Sequence, residues 1–366
     1  MNIIIFLLIL SILVIVHEAG HFFVAKYFNI RVDEFGLGYP PRAKKLFTWK
    51  GSVFTLNWLP FGGFVKIFGE NPNEDEEEEK TLEIVPPGDK FTSKNRSVQA
   101  AVLVAGVTAN FLFAWLLISI GFISGLPAPV GVSLPVEDAK TVITTVIPDS
   151  PAGEAGIKSG DEFISLTRGK ETLVELSPES ASNFIATSKE PLTFNIKRGE
   201  EMVSKTLEPK EGIVPGKPAV GIAMDNVGIV KLSPLKALYH GFLTTAELTW
   251  LTAKALGTFI VQGIKGQGDL SQVTGPVGLV SMVGDVQDLG FIYLLSFTAL
   301  ISINLAIINL IPFPALDGGR LLFVGIEALT RRSIPARVFN TANTVGFGIL
   351  ILLMTLITLR DVRNLL

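Results

Sequence analysis

Residues 2–28 read NIIIFLLILSILVIVHEAGHFFVAKYF, an apolar run that contains the polar cluster HEAGH. A helix of about 20 apolar residues spans a lipid bilayer, and this run is long enough to do so. Ionisable side chains are costly in such a helix, so a cluster of them within it indicates a functional site. The stretch therefore predicts a membrane-spanning helix that carries a chemically active group.

The ionisable cluster consists of His17, Glu18 and His21. The two histidines are four residues apart, so they lie on one face of a helix and can share a tetrahedral metal ion such as zinc. Glu18 follows the first histidine and is placed to take a proton from water at the metal. HExxH also occurs by chance in ordinary helices, and the apolar surroundings are the reason to prefer a metal site here.

The composition predicts a protein that lies partly in a membrane and partly in water. Of the 366 residues, 48% are hydrophobic and 18% are charged, and the mean hydropathy is +0.47. A formal net charge of -3 leaves no basic excess, so no nucleic-acid partner is predicted. Because the chain has no cysteine, disulfides and thiolate ligands are excluded, and a metal must be held by His, Asp or Glu.

Three further segments have the length and apolar composition of bilayer-spanning helices: residues 98–122, 291–311 and 341–359. Residues 2–28 lack a basic start and a small-residue cleavage site, so they are predicted to be a retained helix rather than a signal peptide. We therefore predict four transmembrane helices.

Lysine and arginine in the short loops predict the orientation, because cytoplasmic loops are enriched in them. Such residues follow the first and third predicted spans: Lys26, Arg31, Arg42, Lys44, Lys45 and Lys50, then Arg320, Arg331, Arg332 and Arg337. Both loops are therefore predicted to be cytoplasmic, and the long segment between the second and third spans faces outward. His17 lies about 25 Å along a helix from Met1, near the cytoplasmic side of a hydrocarbon core about 30 Å thick. We predict a multi-pass protein of the cell inner membrane.

A zinc site of this kind needs a third protein ligand, and Asp317 is the candidate. It lies in residues 304–320, NLAIINLIPFPALDGGR, where Pro312 and Pro314 interrupt the helix. Irregular backbone at membrane depth is tolerated only where it is buried in protein or lines a water-filled cavity. A plain proline kink at the end of a span, with Asp317 at the interface, is the alternative.

HEAGH in the first span and NLIPFPALDGG at residues 309–319 together resemble the site-2 protease family of intramembrane zinc metalloproteases, in its bacterial form with one PDZ domain. The resemblance covers nearly the whole chain. It implies Zn²⁺ as cofactor, although iron or cobalt would also suit these ligand types. It also implies cleavage of membrane-anchored proteins within or near their transmembrane helices.

The resemblance implies roles for individual residues as well. The implied zinc ligands are His17, His21 and Asp317, and the implied general base is Glu18. Asn309, assisted by Asn304, is implied to hold the substrate or the developing oxyanion.

Residues 31–69 are predicted to form β-hairpins, because glycine and proline punctuate short β-prone runs there. Their many aromatic residues suit a sheet that dips into the membrane face. Site-2 proteases of this type have a re-entrant β element with a Gly-x-Gly turn, which Gly36 and Gly38 resemble. An exposed strand edge there would bind a substrate segment by β-addition and unwind it for cleavage. A hairpin that only packs against the helices is the alternative.

Residues 71–80 contain an unbroken acidic block, Glu74 to Glu79. Such a block is typical of a solvated loop, and we assign it no chemistry.

Residues 142–166, VITTVIPDSPAGEAGIKSGDEFISL, indicate a strand, a short helical piece, a turn and another strand. Ser177 and Pro178 predict a helix start, and strands follow at 192–197 and 203–207. This order resembles a permuted PDZ domain over about 128–226. Such a domain could bind an extended peptide, act as a size filter for substrates already trimmed by another protease, or be a structural cap.

Residues 235–262 predict an amphipathic helix at the outer membrane interface, followed by a loop at 275–280 that returns toward the third span. His240 is rejected as a metal ligand because it falls on the opposite side of the membrane from His17 in this topology.

The predicted fold is a polytopic α-helical membrane protein with four transmembrane helices, a membrane-associated β-hairpin element and an inserted extracytoplasmic α+β PDZ-like domain. The predicted parts are residues 1–28 (first transmembrane helix), 29–96 (cytoplasmic or re-entrant β region with the acidic loop), 97–123 (second transmembrane helix), 128–226 (PDZ-like domain), 227–289 (amphipathic helix and connecting loop), 290–326 (third transmembrane helix with LDGG) and 341–360 (fourth transmembrane helix).

The predicted function is that of an intramembrane zinc metalloprotease, with membrane-anchored protein substrates and the lipid bilayer as partners. Two other classes stay open. The metal ligands could serve a metal-ion transporter, although no inverted repeat is present. A catalytically silent membrane scaffold could bind peptides through the PDZ-like domain, although retention of Glu18 argues against it.

Overall fold

The computed structural model describes residues 2–70, 89–131, 134–147, 149–174, 177–188, 190–214, 216–267 and 273–365. The acidic block predicted as a solvated loop lies outside these residues. The chain divides into two compact units. The first comprises Met1–Ser119, Leu238–Gly284 and Leu295–Leu366, and the second comprises Ile120–Ala237 and Asp285–Leu294.

Four of the described helices are long and apolar enough to cross a membrane: Asn2–Tyr27, Arg96–Ser124, Phe291–Leu310 and Ala336–Arg363. The helices are α1 (Asn2–Tyr27), α2 (Arg96–Ser124), α3 (Pro151–Glu154), α4 (Pro178–Ala186), α5 (Pro234–Ile264), α6 (Pro276–Leu289), α7 (Phe291–Leu310), α8 (Asp317–Thr330) and α9 (Ala336–Leu365). The prediction of four such helices from the apolar segments is confirmed.

The described strands form a hairpin in the first unit and a larger sheet with a small hairpin in the second. They are β1 (Val32–Trp49), β2 (Ser52–Ile67), β3 (Leu126–Pro129), β4 (Glu137–Val146), β5 (Glu162–Arg168), β6 (Glu171–Leu173), β7 (Leu192–Arg198), β8 (Glu201–Leu207), β9 (Lys210–Val214), β10 (Lys217–Ala219) and β11 (Ile222–Val230).

The β1–β2 hairpin confirms that the glycine- and proline-punctuated region forms strands. Both strands bend, because Phe35 pairs with Val65 on one side and with Phe54 on the other. Residues 63–67 of β2 therefore form a border of the hairpin sheet. Phe22 of α1 packs edge-on against Phe35, with ring centroids 5.6 Å apart, and this contact fixes the hairpin beside α1.

The second unit contains a β-sheet together with the helices α3 and α4. Its sheet has the strand order β3-β11-β4-β5-β7-β8, with β6 paired to β5. The core is apolar and includes Ile143, Leu166 and Phe194, each fully buried. Helix α4 starts where the sequence predicts, because the Ser177 side chain accepts a hydrogen bond from the Ser180 backbone N–H and the Ser180 hydroxyl accepts one from the Ser177 N–H.

Residues 290–326, predicted to contain the third span and the LDGG motif, form two helices, with the interruption at Pro312 and Pro314 that the sequence predicts. Helix α7 ends at Leu310 and α8 begins at Asp317. Pro312 and Pro314 lack an N–H and cannot continue the helical hydrogen bonds, so the chain turns before helix resumes. Asp317 is therefore the first residue of a helix, where a carboxylate is favoured by the helix dipole.

The prediction of a connecting loop at 275–280 is wrong, because helix α6 begins at Pro276. The Gly278 backbone N–H donates a hydrogen bond to Oδ2 of Asp361 in α9, over 3.0 Å. A side chain distant in sequence thus caps the start of α6, and a local reading of GPVGLV could not anticipate it.

The turn between α7 and α8 requires glycine at two successive positions. A Cβ atom on Gly318 would lie 2.3 Å from the carbonyl oxygens of Ile311 and Leu310, and one on Gly319 would lie 2.2 Å from the oxygen of Phe313. The turn is also held by the Ala315 N–H, which donates to Oδ1 of Asn343 over 3.1 Å. The two glycines thus allow the chain to fold back closely and place Asp317 at the helix start.

Replacing Gly318 by alanine should lower the free energy of unfolding by about 1–3 kcal/mol, because the new methyl group meets backbone atoms that cannot yield. Gly325→Ala is the matched control in the same helix, since a Cβ atom there meets no atom of the described residues within 4 Å. It should raise stability by up to about 1 kcal/mol. Thermal unfolding in detergent measures both. Equal melting temperatures for Gly318→Ala and the unaltered chain would contradict the close turn.

Candidate metal centre

Three potential ligands meet in the first unit, although they lie 300 residues apart in sequence. His17 and His21 project from one face of α1, and Asp317 lies at the start of α8. Nε2 of His17 lies 2.9 Å from Oδ2 of Asp317, Nε2 of His21 lies 3.2 Å from the same oxygen, and the two Nε2 atoms are 3.2 Å apart. Both histidines are buried and Asp317 is half-buried.

These donor atoms fit a tetrahedral zinc ion. Zinc bonds of about 2.0–2.2 Å to nitrogen and oxygen place neighbouring tetrahedral ligands roughly 3.3 Å apart. The observed separations of 2.9–3.2 Å are within a few tenths of that value. Two imidazoles and one carboxylate also match the ligand types of catalytic zinc sites, which leave one position for water.

Helix α2 packs closely against the two histidines because it carries a glycine at the contact. A Cβ atom on Gly106 would lie 2.4 Å from Nε2 of His21 and 2.7 Å from Cε1 of His17. On the α1 side, a Cβ atom on Gly20 would lie 2.4 Å from the carbonyl oxygen of Ala105. Larger side chains at either glycine would separate the helices, so the two glycines set the position of the histidine rings against α2.

The tautomer of His21 is fixed by a backbone contact. Its Nδ1 lies 2.8 Å from the carbonyl oxygen of Val102, which can only accept a hydrogen bond. Nδ1 therefore carries a proton, and in the neutral ring Nε2 then has the lone pair, directed toward His17 and Asp317. This is the arrangement that a metal-binding histidine needs.

The buried side chain of Asn110 contacts the other histidine. Its Nδ2 lies 3.3 Å from Nδ1 of His17. Its backbone carbonyl accepts a hydrogen bond from the Ser302 hydroxyl over 2.9 Å. Val102 and Asn110 were not among the site residues predicted from the sequence. They are spaced by eight residues with Gly106 midway, which places all three on one face of α2, but that spacing points to a site only once α2 is known to pack on α1.

A cavity of about 430 Å³ opens beside the metal-ligand cluster. Glu18 lines it together with His21 and Asp317, so the candidate base and two candidate ligands face the same space. A Cβ atom on Gly63 would lie 3.8 Å from Cγ of Glu18, which shows that the β2 backbone runs beside this carboxylate. The remaining lining residues are Tyr39, Gly63, Phe64, Val65, Lys66, Ile67, Glu70, Ala315 and Arg320.

An ion pair forms part of the cavity wall. Arg320 of α8 pairs with Glu70, which follows β2 in the chain. Arg320 is one helical turn beyond Asp317, so the pair ties the hairpin to the helix that carries the candidate ligand. Burial and the nearby Glu18 carboxylate raise the pKa of Tyr39 above its ordinary value, so its hydroxyl keeps its proton at neutral pH.

The residues predicted to bind substrate are not among the described residues that line the cavity. Asn304 and Asn309 are half-buried on α7, and neither is among the described residues that line the cavity. Gly36 pairs with Phe64, and Gly38 has a positive φ of 80° at the bend of β1. It is the paired segment 63–67 of β2, rather than Gly36 or Gly38, that faces the cavity. His240 lies on α5, outside the cluster.

Comparison with known proteins agrees with this geometry. The model of peptidase family M50 matches residues 5–353. The chain belongs to this family. Similar proteins of the same kind include zinc metalloprotease RasP of Geobacillus kaustophilus, which is 29% identical over 437 residues that cover 99% of this chain and 98% of the relative.

Two other relatives of this M50 peptidase are similar over their whole length. A protein of Clostridium perfringens, whose name also contains the words zinc metalloprotease, is 33% identical over 99% of this chain and 98% of its own. Zinc metalloprotease RasP of Oceanobacillus iheyensis is 27% identical over 98% of each chain. The chain is thus a zinc metalloprotease that contains helices long and apolar enough to span a membrane. The transporter and silent-scaffold alternatives are set aside.

Removing one ligand should reduce zinc affinity. We expect His21→Gln and Asp317→Asn to bind zinc at least about 10-fold to 100-fold more weakly, since even changes beyond the direct ligands have effects of that size. Chelator competition in detergent measures the affinity, and thermal unfolding shows that the variants are folded. His240→Gln is the matched control and should bind zinc like the unaltered chain. Full affinity in Asp317→Asn would exclude Asp317 as the third ligand.

Proposed function

We propose that this M50 zinc metalloprotease cleaves membrane-anchored proteins within or near their transmembrane segments. The observation that carries the proposal is the location of the candidate ligands and base. His17, Glu18 and His21 lie within α1, a 26-residue helix that is long and apolar enough to span a membrane. A protease with its chemistry at that place would meet peptide bonds that are themselves in or near the bilayer.

The residues suggest a direct hydrolytic mechanism. Zinc held by His17, His21 and Asp317 would polarise the scissile carbonyl and lower the pKa of water. Glu18, which faces the same cavity, would accept a proton from the attacking water and pass it to the leaving nitrogen. No covalent intermediate is needed, which agrees with a chain that contains no cysteine.

The hairpin supports substrate binding by β-addition. Segment 63–67 is a border of the hairpin sheet and lines the cavity that Glu18 faces. A substrate helix must be opened before cleavage, because its peptide bonds are engaged in its own hydrogen bonds, and an added strand would hold the opened segment. In this proposal Gly36 and Gly38 shape the strand behind segment 63–67 rather than contact the substrate directly.

Asn309 and Asn304 are kept as proposed substrate-binding residues on the family resemblance alone. Asn309 lies near the end of α7, shortly before the break that leads to Asp317. From that position it would act on substrate that has entered from the side of α7.

The second unit is proposed to be the PDZ-like domain predicted for residues 128–226, outside the cytoplasm. Its sheet and the helix α4 support this, since the order of strands and helices follows the predicted pattern. It would act as a size filter or a peptide binder, so that substrates reach the inner-membrane site after another protease has trimmed them. The active site would then lie toward the cytoplasmic side.

Changing Glu18 to Gln should abolish cleavage while zinc remains bound. We expect a loss of about 10²-fold to 10⁴-fold in the cleavage rate of a single-span substrate in detergent, because the amide cannot accept the proton. Glu247→Gln, on an exposed part of α5, is the matched control and should retain full activity. Normal cleavage by Glu18→Gln would exclude Glu18 as the base.

Single cysteines can map the substrate path, because the chain contains none of its own. In the Glu18→Gln background, Val65→Cys on the cavity border should form a disulfide with a substrate that carries one cysteine near its scissile bond. Leu46→Cys on β1 is the control: it is exposed and lies away from the cavity lining, and should cross-link much less. Equal cross-linking at both positions would contradict binding along segment 63–67.

A further inference from the structure

Helix α2 presents three groups to the histidines at intervals of four residues. The Val102 carbonyl accepts from Nδ1 of His21, Gly106 allows the close approach, and the Asn110 amide faces Nδ1 of His17. The Val102 contact leaves the neutral ring of His21 with its lone pair on Nε2. The third raises the question of what Asn110 does for His17.

A histidine that gives the lone pair of Nε2 to a metal must carry its proton on Nδ1. That N–H then needs an acceptor, and a metal-binding histidine almost always has one. His21 has the Val102 carbonyl. For His17, the polar side chain in contact with Nδ1 is Asn110, at 3.3 Å.

The Asn110 amide has an acceptor to offer. Its side chain is fully buried, Nδ2 faces the ring, and Oδ1 has no hydrogen-bond partner among the residues that the structure describes. A buried acceptor without a partner costs about 1–3 kcal/mol. The two ends of an amide are nearly the same in shape, so a half-turn about its last bond exchanges oxygen and nitrogen in place. That half-turn brings Oδ1 to Nδ1 of His17.

We propose that Asn110 is a positioning residue of the metal centre, whose side-chain oxygen accepts the Nδ1 proton of His17 and so directs the Nε2 lone pair to the metal. The inference rests on the proposed role of His17 as a ligand. With it, α2 holds both histidines in the binding tautomer, through a backbone carbonyl for His21 and an amide oxygen for His17.

The location of Asn110 does not depend on its amide. Its backbone carbonyl accepts from the hydroxyl of Ser302 in α7, over 2.9 Å, and the neighbouring turns of α2 are fixed by the contact of Gly106 with the histidines. The side chain can therefore be changed with α2 kept in place. This makes a separation of tautomer control from general packing possible.

The test measures zinc affinity by chelator competition in Asn110→Leu and Asn110→Asp. Leucine is similar in size and has no acceptor, so we expect affinity to fall by about 10-fold to 100-fold. The carboxylate of Asn110→Asp accepts the same proton, so that variant should bind zinc at least as tightly as the unaltered chain. Thr108→Val, an exposed change on α2, is the control and should have no effect. Unchanged affinity in Asn110→Leu, or equal losses in both Asn110 variants, would overturn the proposal.

A second readout does not depend on how well the leucine variant folds. The chain has three histidines, and the His240→Gln background leaves the two of interest. In the zinc-loaded protein, the ¹⁵N resonance of His17 Nδ1 should shift on Asn110→Asp, because the acceptor becomes charged, and should be unmoved by Thr108→Val. No shift in Asn110→Asp would overturn the proposal.

His17→Gln distinguishes this inference from the role on which it rests. If His17→Gln binds zinc like the unaltered chain, the assignment of His17 as a zinc ligand is wrong. If His17→Gln loses zinc and Asn110→Leu keeps it, the ligand role stands and the positioning role of Asn110 fails.

Discussion

Two buried imidazoles and a half-buried carboxylate among apolar helices must satisfy one another, and the first unit is arranged around that requirement. His17, His21 and Asp317 place their donor atoms within 3.2 Å of one another. Without hydrogen-bond or metal partners, such groups would strongly destabilise an apolar helix. The supporting contacts follow from this, because each ring has a second nitrogen that also needs a partner, and α2 supplies both partners.

Glycine makes this arrangement possible at three positions where backbone packs closely around the site. Gly106 admits α2 against the rings, Gly20 admits α1 against the Ala105 carbonyl, and Gly318 admits the turn at Asp317. The three helices that surround the site therefore meet it with main chain as well as side chains. Main chain is less mobile than long side chains, so the ligands and the base are held in place before a substrate arrives.

Much of the site could be predicted because its signals are local. HEAGH within an apolar run, and Asp317 after two prolines, can each be recognised as a candidate site from the residues that flank them in sequence. The structure brings His17, His21 and Asp317 together. Asn110 could not be predicted as a site residue, since its role depends on the contact with His17, which exists only because α1 packs on α2. The start of α6 could not be predicted for the same reason, because the residue that caps it, Asp361, is 83 residues away in sequence. The cavity-facing role of segment 63–67 depended on the bend of β1 and β2, which alternation in sequence does not reveal.

X-ray absorption at the zinc edge of the metal-loaded protein tests the three-ligand centre, since it counts the ligands of the bound ion. The account predicts two imidazole nitrogens at about 2.0–2.1 Å and oxygen ligands at about 2.0–2.2 Å in the unaltered protein. It also predicts the loss of one imidazole in His21→Gln. A zinc ion with no imidazole ligands, or a spectrum unchanged by His21→Gln, would contradict the account.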